Sequence, residues 1–304
     1  MSLKGETKVV VIGAGPAGMT ASIYLAQAEI DHLVVEARAP GGAILRAAEV
    51  INYPGLGKRR GYEIALEIHK HMKELGNDVL SGEVVSVDRT EKGFIVDIKG
   101  RGTVETEFVI VATGAKSKTT GVLNEMRYFG KGVSYCAVCD GYLFKGKVMT
   151  VLGQDEEAFD SVKYLSSLAS RLNWLVFEVT DEVKKTVNSL KERGFDVGVM
   201  KIDKVEDFKG EGKLEKLLVN VDGEVKEIMT DACFVNIGKV AATEFLNFDV
   251  HKDAAGFLIV DEDRETSVDG LYAAGDCVKK SVYQVATAVG DGAVAAVNVA
   301  RRLV

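Results

Sequence analysis

The stretch Cys136-Ala137-Val138-Cys139-Asp140 sets two thiols either side of a two-residue spacer, with an acid directly after them. Such a pair can close a small disulfide and carry two electrons as dithiol and disulfide. At a helix start the N-terminal dipole lowers a thiol pKa, and the thiolate is the form that reacts. Asp140 can pass a proton to or from a sulfur. Half of a zinc site and two buried thiols are the competing readings. A four-ligand zinc site usually takes a second Cys or His pair at similar spacing. Cys233 and Cys277 stand alone, and no two histidines fit a finger spacing. Redox chemistry at Cys136, Cys139 and Asp140 is therefore expected, with no metal.

The elements that must position this chemistry read as a dinucleotide frame. Lys8-Val9-Val10-Val11-Ile12 reads as a buried strand running into Gly13-Ala14-Gly15-Pro16-Ala17-Gly18, which opens a helical run over 19–28. A second strand, His32-Leu33-Val34-Val35-Glu36, ends in an acid 18 positions after Gly18. Strand, glycine turn, helix, strand and acid form the dinucleotide fingerprint in its required setting. Gly13 makes the tight turn, Gly15 lets backbone approach a pyrophosphate, and Gly18 lets helix and strand pack. Glu36 can bond a ribose hydroxyl. Phe108-Val109-Ile110-Val111-Ala112-Thr113-Gly114 is a further strand ending in Thr-Gly. Leu271-Tyr272-Ala273-Ala274-Gly275-Asp276 ends in Gly-Asp, and a helix-like run follows from Gln284 and Val285 to Gly292. An acid at such a strand end can bond the polyol of a flavin. Each strand end alone also reads as an ordinary turn; together, in this order, they point to FAD.

With these motifs in place, the chain resembles the low-molecular-weight thioredoxin reductases. That family carries GxGPAG, a downstream Glu, a GG-x-[LI] segment, an N-[WY]-P-G turn, ATG, CAxCD, and a late AGD before a Gln-containing helix. Here these stand as Gly13 to Gly18, Glu36, Gly41-Gly42-Ala43-Ile44, Asn52-Tyr53-Pro54-Gly55, Ala112-Thr113-Gly114, Cys136 to Asp140, and Ala274-Gly275-Asp276 with Gln284. The resemblance covers essentially the whole chain. It implies a disulfide reductase that binds FAD through Gly13, Gly15, Pro16, Ala17, Gly18, Glu36, Gly42, Ala43, Asn52, Ala112, Thr113, Gly114, Gly275, Asp276, Gln284 and Val285. Asn52 equally reads as the start of a plain turn before Pro54. The resemblance also implies that Cys139 is the thiol nearest the flavin, that Cys136 attacks the partner's disulfide, and that Asp140 donates the proton. A thioredoxin-like partner, a homodimer, and two alternating domain orientations are further implications. Gly114 and Gly238 would be the joints.

Composition agrees. At 304 residues the chain suggests about two domains. No apolar stretch reaches the ~18 residues of a membrane span. A strand begins within ten residues of the N-terminus, so no signal peptide is expected. A net charge of −7 argues against nucleic acid. Four cysteines with one CxxC fit a reducing cytoplasm. An internal repeat follows: a strand reaching Gly153, a helical run over 157–170, and a strand over 173–177 in which Trp174 reads as core. The fold class is thus α/β, with two Rossmann-like domains, the second (116–243) inserted into the first (1–115 and 244–304).

The second unit departs from the family, whose typical member has GxGxxA there and binds NADPH. This chain has Gly153-Gln154-Asp155-Glu156-Glu157-Ala158. Asp155 replaces the close-approach glycine, and three carboxylates crowd the place of the phosphates. These acids suit the helix dipole, so the site reads as one that caps itself. The family's His-Arg-Arg clamp for a 2′-phosphate falls on Val176, Phe177 and Glu178, and its Arg before the late Gln is Tyr283. The expected donor is therefore not NADPH but another carrier, such as ferredoxin. Three alternatives stand beside this: a dithiol oxidase using oxygen, a conventional NAD(P)H enzyme with an atypical site, and a flavin-bound module without turnover.

Overall fold

Alternating β-rich apolar runs and small-residue helices build two parallel-sheet units. The computed structural model describes residues 3–47 and 49–304. Its contacts divide the chain into Met1–Lys116 with Val240–Val304, and Ser117–Lys239. The connecting segments Ala115–Ser117 and Lys239–Ala241 pair as a two-stranded ribbon. Gly114 and Gly238 flank it, at φ +66° and +103°.

In the first unit, strands Val79–Ser81, His32–Glu36, Leu3–Ile12 and Gly102–Val111 lie side by side in parallel. The first half of Gly102–Val111 then pairs antiparallel with Gly93–Ile98, and its second half pairs parallel with Leu271–Ala273. Val9, Val11 and Ile110 face one side and join the helices Pro16–Gln27 and Val285–Leu303; Val10, Val109 and Val111 face the other. Burial on both faces explains the near-continuous apolar runs. The carboxyl ends of three neighbouring parallel strands therefore lead to Gly13, Ala112-Thr113-Gly114 and Ala274-Gly275-Asp276. Ligands of open α/β sheets bind at such ends. The late helix begins at Val285 and runs unbroken through Gly290 and Gly292. A Cβ at Gly292 would lie 2.1 Å from the Ala17 carbonyl oxygen, so this glycine serves close helix packing rather than a break.

The second unit repeats the plan. Its parallel strands run in the order Val197–Lys201, Arg171–Val176, Val148–Leu152, Ala232–Val235, Val133–Ser134. Helices Glu156–Ser166 and Asp181–Glu192 cover it, and an antiparallel meander, Lys204–Lys209, Lys216–Val221, Glu224–Met229, follows. Trp174 is fully buried, meets Phe159 edge-on at 5.0 Å, and donates its Nε1–H to the Gly153 carbonyl at 2.7 Å. Among the described residues no helix is long and apolar enough to cross a membrane.

His32 is a titratable group built into this frame. Its Nδ1 lies 2.8 Å from the Ile30 carbonyl, which accepts from it, so Nε2 is the acceptor for the Ser22 hydroxyl at 2.7 Å. Burial pushes its pKa below the ordinary value, against the weaker pull of Ile30 and Asp31. The neutral ring is the native form, so the unfolded chain binds the extra proton first. Stability should be full above about pH 6.5 and fall below it, by at most about 1.4 kcal/mol per pH unit from this group. Denaturant midpoints at pH 7.5 and 5.5 should differ less in His32→Gln than in the parent; equal differences would remove His32 from the acid response.

Candidate active site

The glycine turn of the first unit is set by sterics. Gly13 sits at φ +107°, and a Cβ there would lie 2.4 Å from the Ala112 carbonyl oxygen. A Cβ on Gly18 would lie 1.9 Å from the Gly13 carbonyl oxygen. Gly15 is different: a Cβ there would meet nothing within 4 Å. It is the N-cap of the helix Pro16–Gln27, with Pro16 in the first turn, and it offers no side chain to the helix N–H groups. The turn thus leaves both open space and unpaired donors, the requirements of a bound phosphate.

Other elements converge here. Glu36 accepts the Ala14 N–H on Oε2 and the Arg38 N–H on Oε1, both at 2.8 Å. The Gly41 N–H donates to the Ala14 carbonyl at 2.7 Å; a Cβ on Gly42 would come 3.1 Å from Gly15 Cα, and Ala43 follows, exposed. Asn52 donates to the Gln284 side-chain oxygen at 3.1 Å, joining residues 232 positions apart. Gln284 caps the helix that Val285 opens, its N–H donating to Thr287 at 3.1 Å. Thr113 donates its hydroxyl to the Ala242 carbonyl at 2.7 Å. A Cβ on Gly275 would press on Ala17 at 2.9 Å.

Asp276 is the most telling group. Its Oδ1 is buried and has no hydrogen-bond partner, with Lys280 Nζ at 3.6 Å, a charge contact beyond hydrogen-bond reach. A buried carboxylate oxygen left without a bond asks for a donor, and a ribityl hydroxyl is one. The set of donors and acceptors therefore fits a flavin carrying a dinucleotide tail. Sequence reasoning assigned no role to Lys280 or Asp291. Asp291, 4% exposed, accepts the Gly275 N–H at 3.2 Å and pairs with Lys280 at 2.8 Å and Arg264 at 3.0 Å. The spacing of Lys280 four residues after Asp276 was the available signal.

The thiols stand on the second unit. Cys136 and Cys139 form a disulfide, with S–S 2.10 Å and Cα atoms 5.3 Å apart. Cys136 is half-buried and caps the one-turn helix Ala137–Asp140; Cys139 is exposed. The Cys139 N–H donates to Cys136 Sγ at 3.2 Å. That bond favours negative charge on Cys136 once the disulfide opens. Asp140 is bonded by Ser134, which sequence reasoning missed, at 2.6 Å. The lone thiols are buried; burial pushes Cys277 up to about 11 and Cys233 well above its usual range, so neither is a ready nucleophile.

The repeated turn at Gly153 keeps its backbone form, at φ +122°, but an acidic side chain caps the helix that follows it. Asp155 caps its own helix, accepting the Ala158 N–H at 2.8 Å. Burial, with Glu157 beside it, raises the Asp155 carboxyl above its usual range, so the surroundings disfavour another anion. Gln154, unassigned from sequence, accepts the N–H groups of both Phe177 and Glu178 at 2.8 Å. These two bonds fall just past the strand Arg171–Val176. Glu157 pairs with Lys239 at 3.1 Å.

Comparison with known proteins points the same way. The family of pyridine nucleotide-disulphide oxidoreductases matches residues 7–292. A thioredoxin reductase of Listeria monocytogenes is 35% identical over 297 residues, 95% of this chain and 92% of that one. The structure of the Lactococcus lactis thioredoxin reductase matches with a TM-score of 0.83 at 30% identity, covering 97% of this chain and 98% of the other. A ferredoxin-flavin thioredoxin reductase from Clostridium acetobutylicum matches with a TM-score of 0.56 at 27% identity, covering 98% of each.

Two glycine substitutions separate fold from ligand. Gly18→Ala drives a Cβ into backbone and should lower the thermal midpoint as well as flavin content. Gly15→Ala has room, so its midpoint without flavin should stay within about 0.5 kcal/mol of the parent's equivalent. Flavin retention should nonetheless fall at least about tenfold, because the methyl group occupies the approach to the helix start. Retention of flavin by Gly15→Ala at the parent level would mean that no phosphate reaches this turn.

Proposed function

Because the chain belongs to the pyridine nucleotide-disulphide oxidoreductases, and within them to the low-molecular-weight thioredoxin reductases, we propose that it binds FAD and reduces a thioredoxin-like protein with electrons from a donor other than NADPH. The FAD residues are those gathered at Gly13 to Gly18, Glu36, Gly42, Ala43, Asn52, Ala112 to Gly114, Gly275, Asp276, Gln284 and Val285. A low-potential protein carrier of the ferredoxin type is the donor. The observation that carries this choice is the turn at Gly153, where the Asp155 carboxylate caps the helix start at Ala158 and Gln154 takes the Phe177 and Glu178 N–H groups at the neighbouring strand end. The likeness to a ferredoxin-flavin thioredoxin reductase supports the same reading. The buried lone thiols suit a reducing cytoplasm, and by family likeness the working unit is a homodimer.

FAD, when bound, supplies the electron pair that opens the Cys136–Cys139 disulfide. The chain's own residues do the rest. Cys136 is the attacking thiolate, stabilised by the Cys139 N–H. Cys139 resolves the mixed disulfide by attacking Cys136. Asp140, tethered at Ser134, holds and returns protons at the sulfurs. Lys280 and Arg264 balance the buried charge of Asp291 under the Gly275 turn, and so keep Asp276 facing the polyol.

Anaerobic mixing with excess NADPH or NADH should leave the visible flavin band unbleached over minutes. Dithionite or a reduced ferredoxin should bleach it, and thioredoxin should then gain thiols. Bleaching by NADPH within seconds would reverse the donor assignment. Oxygen uptake driven by a dithiol, without thioredoxin reduction, would make the protein an oxidase instead. Cys136→Ser and Cys139→Ser should each abolish thioredoxin reduction. Asp140→Asn should slow it by ~10²–10⁴-fold with flavin retained.

A further inference from the structure

Ser134 ends the short strand Val133–Ser134, whose register sets it beside Phe234 of the strand Ala232–Val235. It is 3% exposed. Its Oγ lies 3.0 Å from the Cys136 nitrogen and 2.6 Å from Asp140 Oδ2. Proton counting assigns these bonds. The amide can only donate, so Oγ accepts from Cys136. The single hydroxyl proton is then free for Asp140, since the other acceptor in reach, the Cys136 carbonyl, is longer at 3.4 Å. A charge-assisted O–H···O bond of this length is a strong one. The strand end is pinned from its other side as well. Tyr135 donates its hydroxyl to Glu125 at 2.5 Å, and Glu125, 1% exposed, also accepts the N–H and hydroxyl of Thr120. Ser134 therefore sits on a fixed mount, and one oxygen atom ties the attacking cysteine's backbone to the acid's carboxyl group.

We propose that Ser134 is a positioning residue for thiol–disulfide exchange: it locks Oδ2 of Asp140, so that Oδ1 is the oxygen that takes up and returns protons beside the two sulfurs. This rests on the reductase reading above. The exchange balances as follows. The Cys136 thiol yields its proton to Asp140, and its sulfur bonds one partner sulfur as the partner's S–S bond breaks. Asp140 gives the proton to the partner sulfur that leaves. The Cys139 thiol then loses its proton to Asp140 and bonds the Cys136 sulfur. The mixed disulfide breaks, and the second partner sulfur takes that proton. Two electrons and two protons pass to the partner, and the Cys136–Cys139 bond is restored.

The test uses the flavin-loaded protein, reduced with dithionite and mixed with oxidised thioredoxin, in the parent, Ser134→Ala, Ser134→Thr, Asp140→Asn and the Ala/Asn double variant. Ser134→Ala should lower kcat by about 10- to 100-fold, as a misplaced reacting group does, with KM for thioredoxin unchanged. Ser134→Thr, which keeps the hydroxyl, should restore most of the rate. In the Asp140→Asn background, Ser134→Ala should add no more than about a twofold change, because both substitutions remove one function. Losses that multiply in the double variant, or Ser134→Ala at the parent rate while Asp140→Asn is slow, would overturn the positioning role and leave the reductase reading intact. Asp140→Asn at the parent rate would overturn the positioning role together with the proton role of Asp140, whereas failure of the reduced parent to give thioredoxin thiols would overturn the reductase reading. Flavin content and two more thiols per reduced chain than per oxidised chain, titrated after unfolding, certify each variant. Ser134→Gly, also without a hydroxyl, replaces Ser134→Ala in every comparison if the latter does not fold.

Discussion

A helix cannot satisfy the N–H groups of its own first turn, and what meets them decides the role of each unit here. Both units start the same way, with a parallel strand, a left-handed glycine and a helix. At Gly15 the chain presents no side chain, and the space before it is open. At Asp155 the side chain closes the same position with a 2.8 Å bond. An N-cap aspartate contributes ~1 kcal/mol to its helix, so the second turn is partly closed by the chain's own side chain. The first turn is not, and its incompleteness is what suits it to hold a phosphate.

The turn of the second unit is held by packing. The Gly153 carbonyl takes the Trp174 indole N–H, and a Cβ at Gly153 would lie 1.6 Å from the Asn236 carbonyl oxygen. These constraints act on the backbone and are indifferent to the residues at 154–157. Side chains there could change from a glycine-rich cradle to a capped turn while Trp174, Phe159 and the strand Arg171–Val176 stayed in place.

Much of this was legible in the sequence. The strand His32–Glu36, the fully buried Trp174 and the inserted second unit follow from apolar runs and glycine positions. The glycines of the first turn were readable because only a residue without Cβ fits where Gly13 and Gly18 sit. Asp155 was readable as a self-cap because its type and place match the N-cap rule. Other features were hidden, because they depend on which backbone groups meet across the fold. Gln154 bonds residues 23 and 24 positions away, and Asn52 meets Gln284 across 232. The helix-like run through Gly290 and Gly292 was readable, but the packing of Gly292 on Ala17 was not. Ser134 is an ordinary strand serine until Asp140 folds back onto it.

The thiol loop and the turn at Gly153 are held by separate contacts. The loop is held by the pairing of Val133–Ser134 with Ala232–Val235, by Ser134 on Asp140, and by Tyr135 on Glu125. None of these contacts uses residues 153–157 or 176–178. Where the loop does touch the helix Glu156–Ser166, it does so at its far end: a Cβ on Gly141 would press on Leu165 and Tyr164. Substitutions without shared partners act nearly independently. Side-chain changes at the start of the helix Glu156–Ser166 therefore leave the disulfide geometry at its other end unaltered.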